Sequence, residues 1–282
     1  MRILKLLLII PSFIIYILLG VFLHIVLIPF SPAIRWNILN RLTRRLISWL
    51  KFVLGLRITL SGNNELLTRQ GQFIISRHIG YIDGMVLGSI VPATFISKQE
   101  IKMWPLIGWV VRVGATIFVD RQNKNKIAQS LQAIEERLKN AVNVLIFPEG
   151  TSTDGTKVNP FQSAFFSAPL AARADIVPVA IEYTKIDGKP INSSTREHIC
   201  WYGAKSFSKH LWNLLQFKTV EVTVKVEDAI KTDRYANTSF DRKKLAQRCY
   251  ELIYNSAVDN MQLFEGLRAN SEVLDSARSL QN

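Results

Sequence analysis

Residues Leu6 to Ile34 form a run of twenty-nine positions without an Asp, Glu, Lys or Arg. About 20 apolar residues suffice to cross a bilayer, and a buried core helix rarely needs so many. The run is also too long for the apolar core of a secretory signal, and no small-residue cleavage site follows it. Residues 1–34 are therefore expected to stay with the chain as a membrane segment. Pro11, Gly20 and Pro29 interrupt the run, so both a straight span and a kinked or re-entrant hairpin remain open. Charge points the same way. Up to Asn64 there are eight basic residues (Arg2, Lys5, Arg35, Arg41, Arg44, Arg45, Lys51, Arg57), and the first acidic one is Glu65. The net charge of +13 would suit nucleic acid or an anionic membrane. Its concentration beside an apolar run favours the membrane and argues against nucleic acid. The basic C-terminal flank places that side in the cytoplasm. Residues 35–56 read as a basic amphipathic helix, with Leu42, Leu46, Trp49, Leu50 and Val53 at helical spacing. Such a helix can lie in the membrane interface or pack on the domain that follows.

From about residue 57 short apolar runs alternate with helical stretches. Strands are expected at Arg57–Ser61, Gln72–Ser76, Thr94–Ser97, Thr116–Val119, Asn143–Phe147, Ile176–Tyr183 and Thr219–Val226, with a helix over Lys124–Lys139. This order predicts an α/β fold, a mostly buried mixed sheet flanked by helices, in one domain over 57–240. Thr219–Val226 alternates cleanly enough to be an edge strand with one wet face. Residues 241–282 complete the chain with a helix over Asp241–Leu267 and a polar tail. Cys200 and Cys249 lie far apart with no ligand spacing, so neither a zinc site nor any other metal site is expected.

Two clusters carry chemistry. The first is Ser76-Arg77-His78-Ile79-Gly80-Tyr81-Ile82-Asp83. On one continuous helix His78 and Asp83 would diverge by about 140°. They can meet if the chain leaves a strand, turns at Gly80 and opens a helix near Asp83, where the helix dipole favours a carboxylate. A carboxylate on one imidazole nitrogen fixes the tautomer and frees the other nitrogen for a proton. One His-x4-Asp is weak by itself, and a structural histidine is its bland explanation. The second cluster, Phe147-Pro148-Glu149-Gly150-Thr151-Ser152, follows an expected strand directly, where α/β proteins hold ligands.

Together the clusters resemble the lysophosphatidic acid acyltransferase (PlsC) family of glycerolipid acyltransferases. His78 and Asp83 match its catalytic motif. Gly114 to Arg121 is similar to its second block, Phe147 to Thr151 to its third, and Ile176-Val177-Pro178-Val179 to its fourth. The order of all four is kept between Gln72 and Tyr183. The resemblance implies a catalytic pair, His78 and Asp83, and a substrate-binding set of Lys98, Phe118, Arg121, Glu149, Gly150 and Thr151. It implies transfer of an acyl group from acyl-CoA or acyl carrier protein to the hydroxyl of a lysolipid, first of all 1-acyl-sn-glycerol-3-phosphate. No cofactor is implied beyond the acyl donor, and the expected place is the bacterial inner membrane with the domain on the cytoplasmic side. Arg77 and Gly80 stand where the family usually has Asn and Ser. The stretches SKQEIKMWPLIGW and FPEGTSTDGTKVNPF look more like the branch that acylates lyso-ornithine lipid. A non-catalytic lipid-binding protein on the same fold is the alternative. A hydrolase lacks support, because no Gly-x-Ser-x-Gly elbow occurs.

Overall fold

The computed structural model describes residues 1–120 and 123–256. It opens with two antiparallel helices, α1 (Arg2–Val26) and α2 (Pro32–Leu54). There follow β1 (Leu56–Gly62), β2 (Phe73–Ser76), α3 (Tyr81–Ile90), β3 (Thr94–Lys98), α4 (Ile107–Val113), β4 (Ile117–Val119), α5 (Lys124–Lys139) and β5 (Val144–Ile146). The rest comprises α6 (Ser167–Ala172), β6 (Ile176–Ile186), β7 (Lys189–Pro190), α7 (Ser193–Arg196), α8 (Phe207–Leu214), β8 (Val220–Val226) and a helix α9 over 239–256. The expected final helix is thus present as far as residue 256, and its remainder to Leu267 lies outside the described residues.

The strands form one sheet in the order β1-β8-β6-β2-β5-β3-β4, with β7 paired to β6. The pairs β1/β8, β6/β2, β2/β5, β5/β3 and β3/β4 are parallel, while β8/β6 is antiparallel, so the sheet is mixed as expected. One expectation fails here. Val220–Val226 is not an edge strand: β1 and β6 flank it, and β1 forms the edge. Its alternation has another cause. Val220, Val222, Val224 and Val226 face the core while the residues between them stay half-buried. Alternation reports a half-covered face, and a central strand can have one.

Each buried strand feeds two cores, because successive side chains point to opposite faces. Ile74, Leu145, Val177 and Val179 pack against α1, α2 and α3. Phe73, Ile75, Val144, Ile146 and Ile176 pack against α5, α6 and α9 through Ile134, Leu170, Leu245 and Cys249, with Phe166 in the turn before α6. The result is a three-layer sandwich with β2 at its centre.

The N-terminal run is one helix of 25 residues that passes through Pro11 and Gly20 unbroken. At 1.5 Å per residue it is about 37 Å long. The chain reverses only after it, through Pro29. One stripe of α1, at Lys5, Ile9, Phe13, Tyr16 and Gly20, is buried. Tyr16 Oη pairs with Thr43 Oγ1 at 2.8 Å, and a Cβ on Gly20 would strike Val113. Lys5 Nζ donates to Phe217 O at 2.7 Å, and His24 Nε2 meets Val113 O at 3.2 Å. Both ends of α1 are thus tied to the same domain. The remaining faces expose Ile3, Leu7, Ile15, Leu18, Phe22 and Ile25.

Helix α2 starts three residues earlier than expected and does not lie apolar-face-down on a bilayer. Leu39, Leu46, Leu50 and Val53 are buried against the domain, which is the packed alternative of the two open from sequence. Arg41, Arg44 and Arg45 stay exposed.

Gly55 ends α2 with φ +75° and turns the chain into β1. A Cβ there would lie 1.9 Å from Lys218 O, a backbone atom that cannot step aside. Gly55→Ala should therefore destabilise the fold by at least about 1–2 kcal/mol. A fall in melting temperature of the detergent-purified protein checks this, and an unchanged value would refute it.

Candidate active site

The site is built where β2 stops. Ser76 ends the strand, and Arg77 is fixed behind it by Ile181 O (3.0 Å) and the Glu182 carboxylate (3.1 Å). Residues 78–80 then loop around one carboxylate. Asp83 is 1% exposed in the first turn of α3. Its Oδ2 accepts from His78 Nδ1 at 2.9 Å, from the Ile79 amide at 2.7 Å and from the Gly80 amide at 3.0 Å. Its Oδ1 accepts from Tyr183 Oη at 2.9 Å. An ionised carboxylate only accepts, so Nδ1 carries the imidazole proton and Nε2 is the basic nitrogen. Burial first and Asp83 second push the Tyr183 hydroxyl well above its usual pKa, so it remains a donor.

The turn after β5 holds His78 from the other side. The His78 ring stacks on Phe147 with centroids 4.3 Å apart. Its amide donates to Glu149 Oε1 at 2.6 Å, and the Asn159 amide donates to Glu149 Oε2 at 2.7 Å. The Thr153 amide closes back on His78 O at 3.0 Å. Burial raises the Glu149 carboxyl to about 7, against the opposing pull of the Asn159 and His78 amides. Gly80 leaves room for the segment opposite, since a Cβ would sit 3.0 Å from the Trp201 amide nitrogen and 3.2 Å from Ile199 O.

His78 opens onto a cavity of about 340 Å³. Phe147, Gly150 and Ser152 form its wall near the imidazole, with Lys98 at the end of β3. Tyr81, Trp104, Trp201 and Phe207 make an aromatic cluster beside it, locked by Tyr81 Oη on His210 Nδ1 at 2.9 Å. Burial lowers His210 to about 4 and keeps it neutral in that bond. Beyond the aromatics the cavity is apolar and reaches Phe13 of α1, Leu46 and Leu50 of α2, and Val110 of α4. A nitrogen base beside a long apolar hollow suits a substrate with a reactive carbonyl on a hydrocarbon chain.

Comparison with known proteins agrees with that chemistry. A family model described as Acyltransferase matches residues 57–182. The chain is 30% identical over 208 residues to a lyso-ornithine lipid O-acyltransferase of Rhizobium meliloti, spanning 71% of this chain and 70% of that one. The chain belongs to the PlsC-type acyltransferases. It is also 28% identical over 193 residues to a 1-acyl-sn-glycerol-3-phosphate acyltransferase of Neisseria gonorrhoeae, 68% of this chain and 72% of that one. The crystal structure of PlsC from Thermotoga maritima shares the fold, with a TM-score of 0.59 at 18% identity over 93% of this chain and 98% of that one. The chain is thus an acyltransferase, and the mixed α/β sheet flanked by helices and the N-terminal apolar helix are those expected from the sequence.

The residues expected from sequence divide into three groups in this acyltransferase. His78, Asp83, Lys98 and Gly150 come together at the cavity or directly behind it. Glu149 does not reach the cavity wall. Two backbone amides occupy its two oxygens, so it ties the His78 loop to the 150–159 loop instead of contacting an acceptor hydroxyl. Phe118 and Thr151 also lie off the wall. Phe118 sits under Lys102 Nζ at 5.7 Å, and Thr151 is exposed between the two wall residues Gly150 and Ser152. Arg121 lies outside the described residues. The Ile79 and Gly80 amides are spent on Asp83 and leave no donor at that turn for a developing oxyanion. Tyr183, Phe147 and Trp201 were missed. Tyr183 was legible in principle, since it shares the inward face of β6 with Val177, Val179 and Ile181 at period two.

The buried carboxyl of Glu149 gives a pH test. Its folded value of about 7 lies above the usual 4.5, so the native state binds the extra proton between those limits. Stability from this group is therefore present at low pH and lost as pH rises through 7. Wild type should exceed Glu149→Gln in melting temperature at pH 5, and the gap should narrow at pH 8. A gap that stays constant would show that Glu149 does not titrate in this range.

Proposed function

We propose that this acyltransferase moves a fatty acyl group from an acyl thioester, on coenzyme A or acyl carrier protein, to the free hydroxyl of a lysolipid. The observation that carries the proposal is the Asp83–His78 pair at the mouth of an apolar cavity. The acceptor oxygen attacks the thioester carbonyl carbon while His78 Nε2 takes its proton. The tetrahedral oxyanion collapses, the C–S bond breaks, and His78 returns the proton to the departing thiolate. The products are an ester and a free thiol. A thioester is already activated, so no enzyme nucleophile is needed. Asp83 holds the imidazole in the required tautomer and balances the imidazolium. We assign the oxyanion donors to the amides that follow Gly150 in the turn after β5, since the Gly150 amide itself donates to Phe147 O at 3.1 Å and Ser152 lines the wall beside His78. Lys98 serves the anionic part of the acceptor, and Arg121 follows β4 in the block that resembles the family's acceptor site.

Two acceptors fit. Lyso-ornithine lipid is favoured by the relatives of that name, with 1-acyl-sn-glycerol-3-phosphate second. We read α1 as the element that holds the enzyme on the membrane. Because both ends of that helix are tied to the domain, its exposed apolar flank is read as lying in one leaflet, with the domain on the cytoplasmic side where anionic lipids attract its arginines.

Radiolabelled acyl-CoA and acyl carrier protein, offered with each lysolipid, test the reading. His78→Ala should lower transfer by at least about 100-fold. Persistence of wild-type rates in that variant would sink the mechanism. Tyr183→Phe removes one donor from the Asp83 carboxylate and should lower kcat by roughly tenfold with KM little changed. A change confined to KM would place Tyr183 in binding instead.

A further inference from the structure

Helix α2 carries three stripes. Leu39, Thr43, Leu46 and Leu50 are buried. Arg41, Arg44, Arg45 and Ser48, spaced i, i+3, i+4 and i+7, share a second face. Leu42, Arg45 and Trp49 share a third, turned to α1. Arg45 belongs to both exposed stripes.

Each exposed stripe borders a groove. On the α1 side, Leu7, Pro11, Ile15 and Leu19 face Leu42 and Trp49 across an apolar furrow that contains Arg45. On the other side, Arg41, Arg44 and Arg45 face Arg69, Asn64 and Asn143 across a hollow of about 780 Å³ with a floor of mixed polar and apolar residues. No acidic residue lines either groove among the described residues. None of the four arginines forms an ion pair among them either. Only Arg44 is partly engaged, through Nε on Ser89 O at 3.2 Å. Four guanidinium groups without a carboxylate repel one another, and a bound anion relieves that repulsion.

The hollow is not the acceptor site. His78 and Gly150 follow the C-terminal ends of β2 and β5, whereas Gln70, Pro92 and Ala141 precede β2, β3 and β5. The two sites lie at opposite ends of the sheet. The ligand must therefore be something other than the lysolipid under reaction.

We propose that these paired grooves bind one anionic phospholipid of the bilayer, its phosphate among Arg41, Arg45 and Arg69 and an acyl chain in the furrow between α1 and α2. A free anion would use the hollow but leave the furrow empty, and a neutral lipid would use the furrow but leave the arginines uncompensated. The continuity of the two through Arg45 selects a molecule with both parts. The proposal rests on the membrane placement of α1 and is independent of the acyl-transfer reading.

The test uses the full chain purified in neutral detergent. Flotation with phosphatidylcholine vesicles reads the membrane placement alone, and failure to float would reject that placement. Binding of radiolabelled phosphatidylglycerol in mixed micelles reads the site. Wild type should bind it saturably, at about one per chain, and roughly tenfold tighter than phosphatidylcholine. Arg41→Gln/Arg45→Gln/Arg69→Gln should lose that preference, while Lys209→Gln/Lys243→Gln/Lys244→Gln, equal in charge change and exposed elsewhere, should keep it. Equal loss in both triple variants means diffuse surface attraction and overturns the site. Competition by sn-glycerol 3-phosphate as strong as that by the lipid means a free-anion site and overturns the lipid. Melting temperatures of both variants equal to wild type confirm that they fold.

Discussion

The carboxylate of Asp83 gathers four donors from two parts of the chain: the His78 imidazole with the Ile79 and Gly80 amides from one loop, and the Tyr183 hydroxyl from β6. A buried charge of this kind is tolerated only when it is well compensated, because removal from water costs several kcal/mol. The compensation dictates local structure. Two consecutive amides can reach one oxygen only if residues 78–80 wrap around it, and this puts the turn between β2 and α3. The Tyr183 donor requires β6 beside β2, and Glu149 requires β5 on the other flank. The central three strands of the sheet are therefore the three that hold the dyad.

Glu149 extends the same logic outward. It is buried and accepts two amides from segments distant in sequence, one in the His78 loop and one at Asn159. The residue that reads from sequence as a ligand group is a strut. The distinction matters for substitutions. Loss of a strut shows first in loop order and stability, and only through them in rate. Arg77 is similar, because its pair with Glu182 anchors the last residue before the imidazole.

Much of the architecture was legible because it follows from short-range pattern. The strands came from β-rich apolar runs, α5 from its period, and the dyad from a spacing that only a strand–turn–helix can close. What the sequence left open has a common physical source. Strand order, the choice between a packed and an interfacial α2, and the orientation of Glu149 are decided by partners distant in sequence. The clean alternation of Val220–Val226 looks the same whether its neighbour is solvent or another strand. Glu149 carries no local sign that Asn159 will claim its second oxygen. Tyr183 sat in an expected strand on its inward face, and only its hydroxyl hinted at a polar partner in the core.

The anchor and the active site are not separate modules. Phe13 of α1 and Leu46 and Leu50 of α2 line the far end of the cavity that begins at His78. The same helices present the exposed apolar flank and the arginine face to the exterior. One stripe of each helix thus bounds the space for a hydrocarbon chain while the other stripes meet the surroundings. The hairpin can perform both tasks because a helix offers faces about 100° apart per residue, and three stripes fit around α2 without overlap except at Arg45. An enzyme whose substrate is itself a membrane lipid gains from this economy. The wall that bounds the apolar end of the cavity is the same hairpin that turns an exposed apolar flank outward, so cavity and flank are two faces of one element.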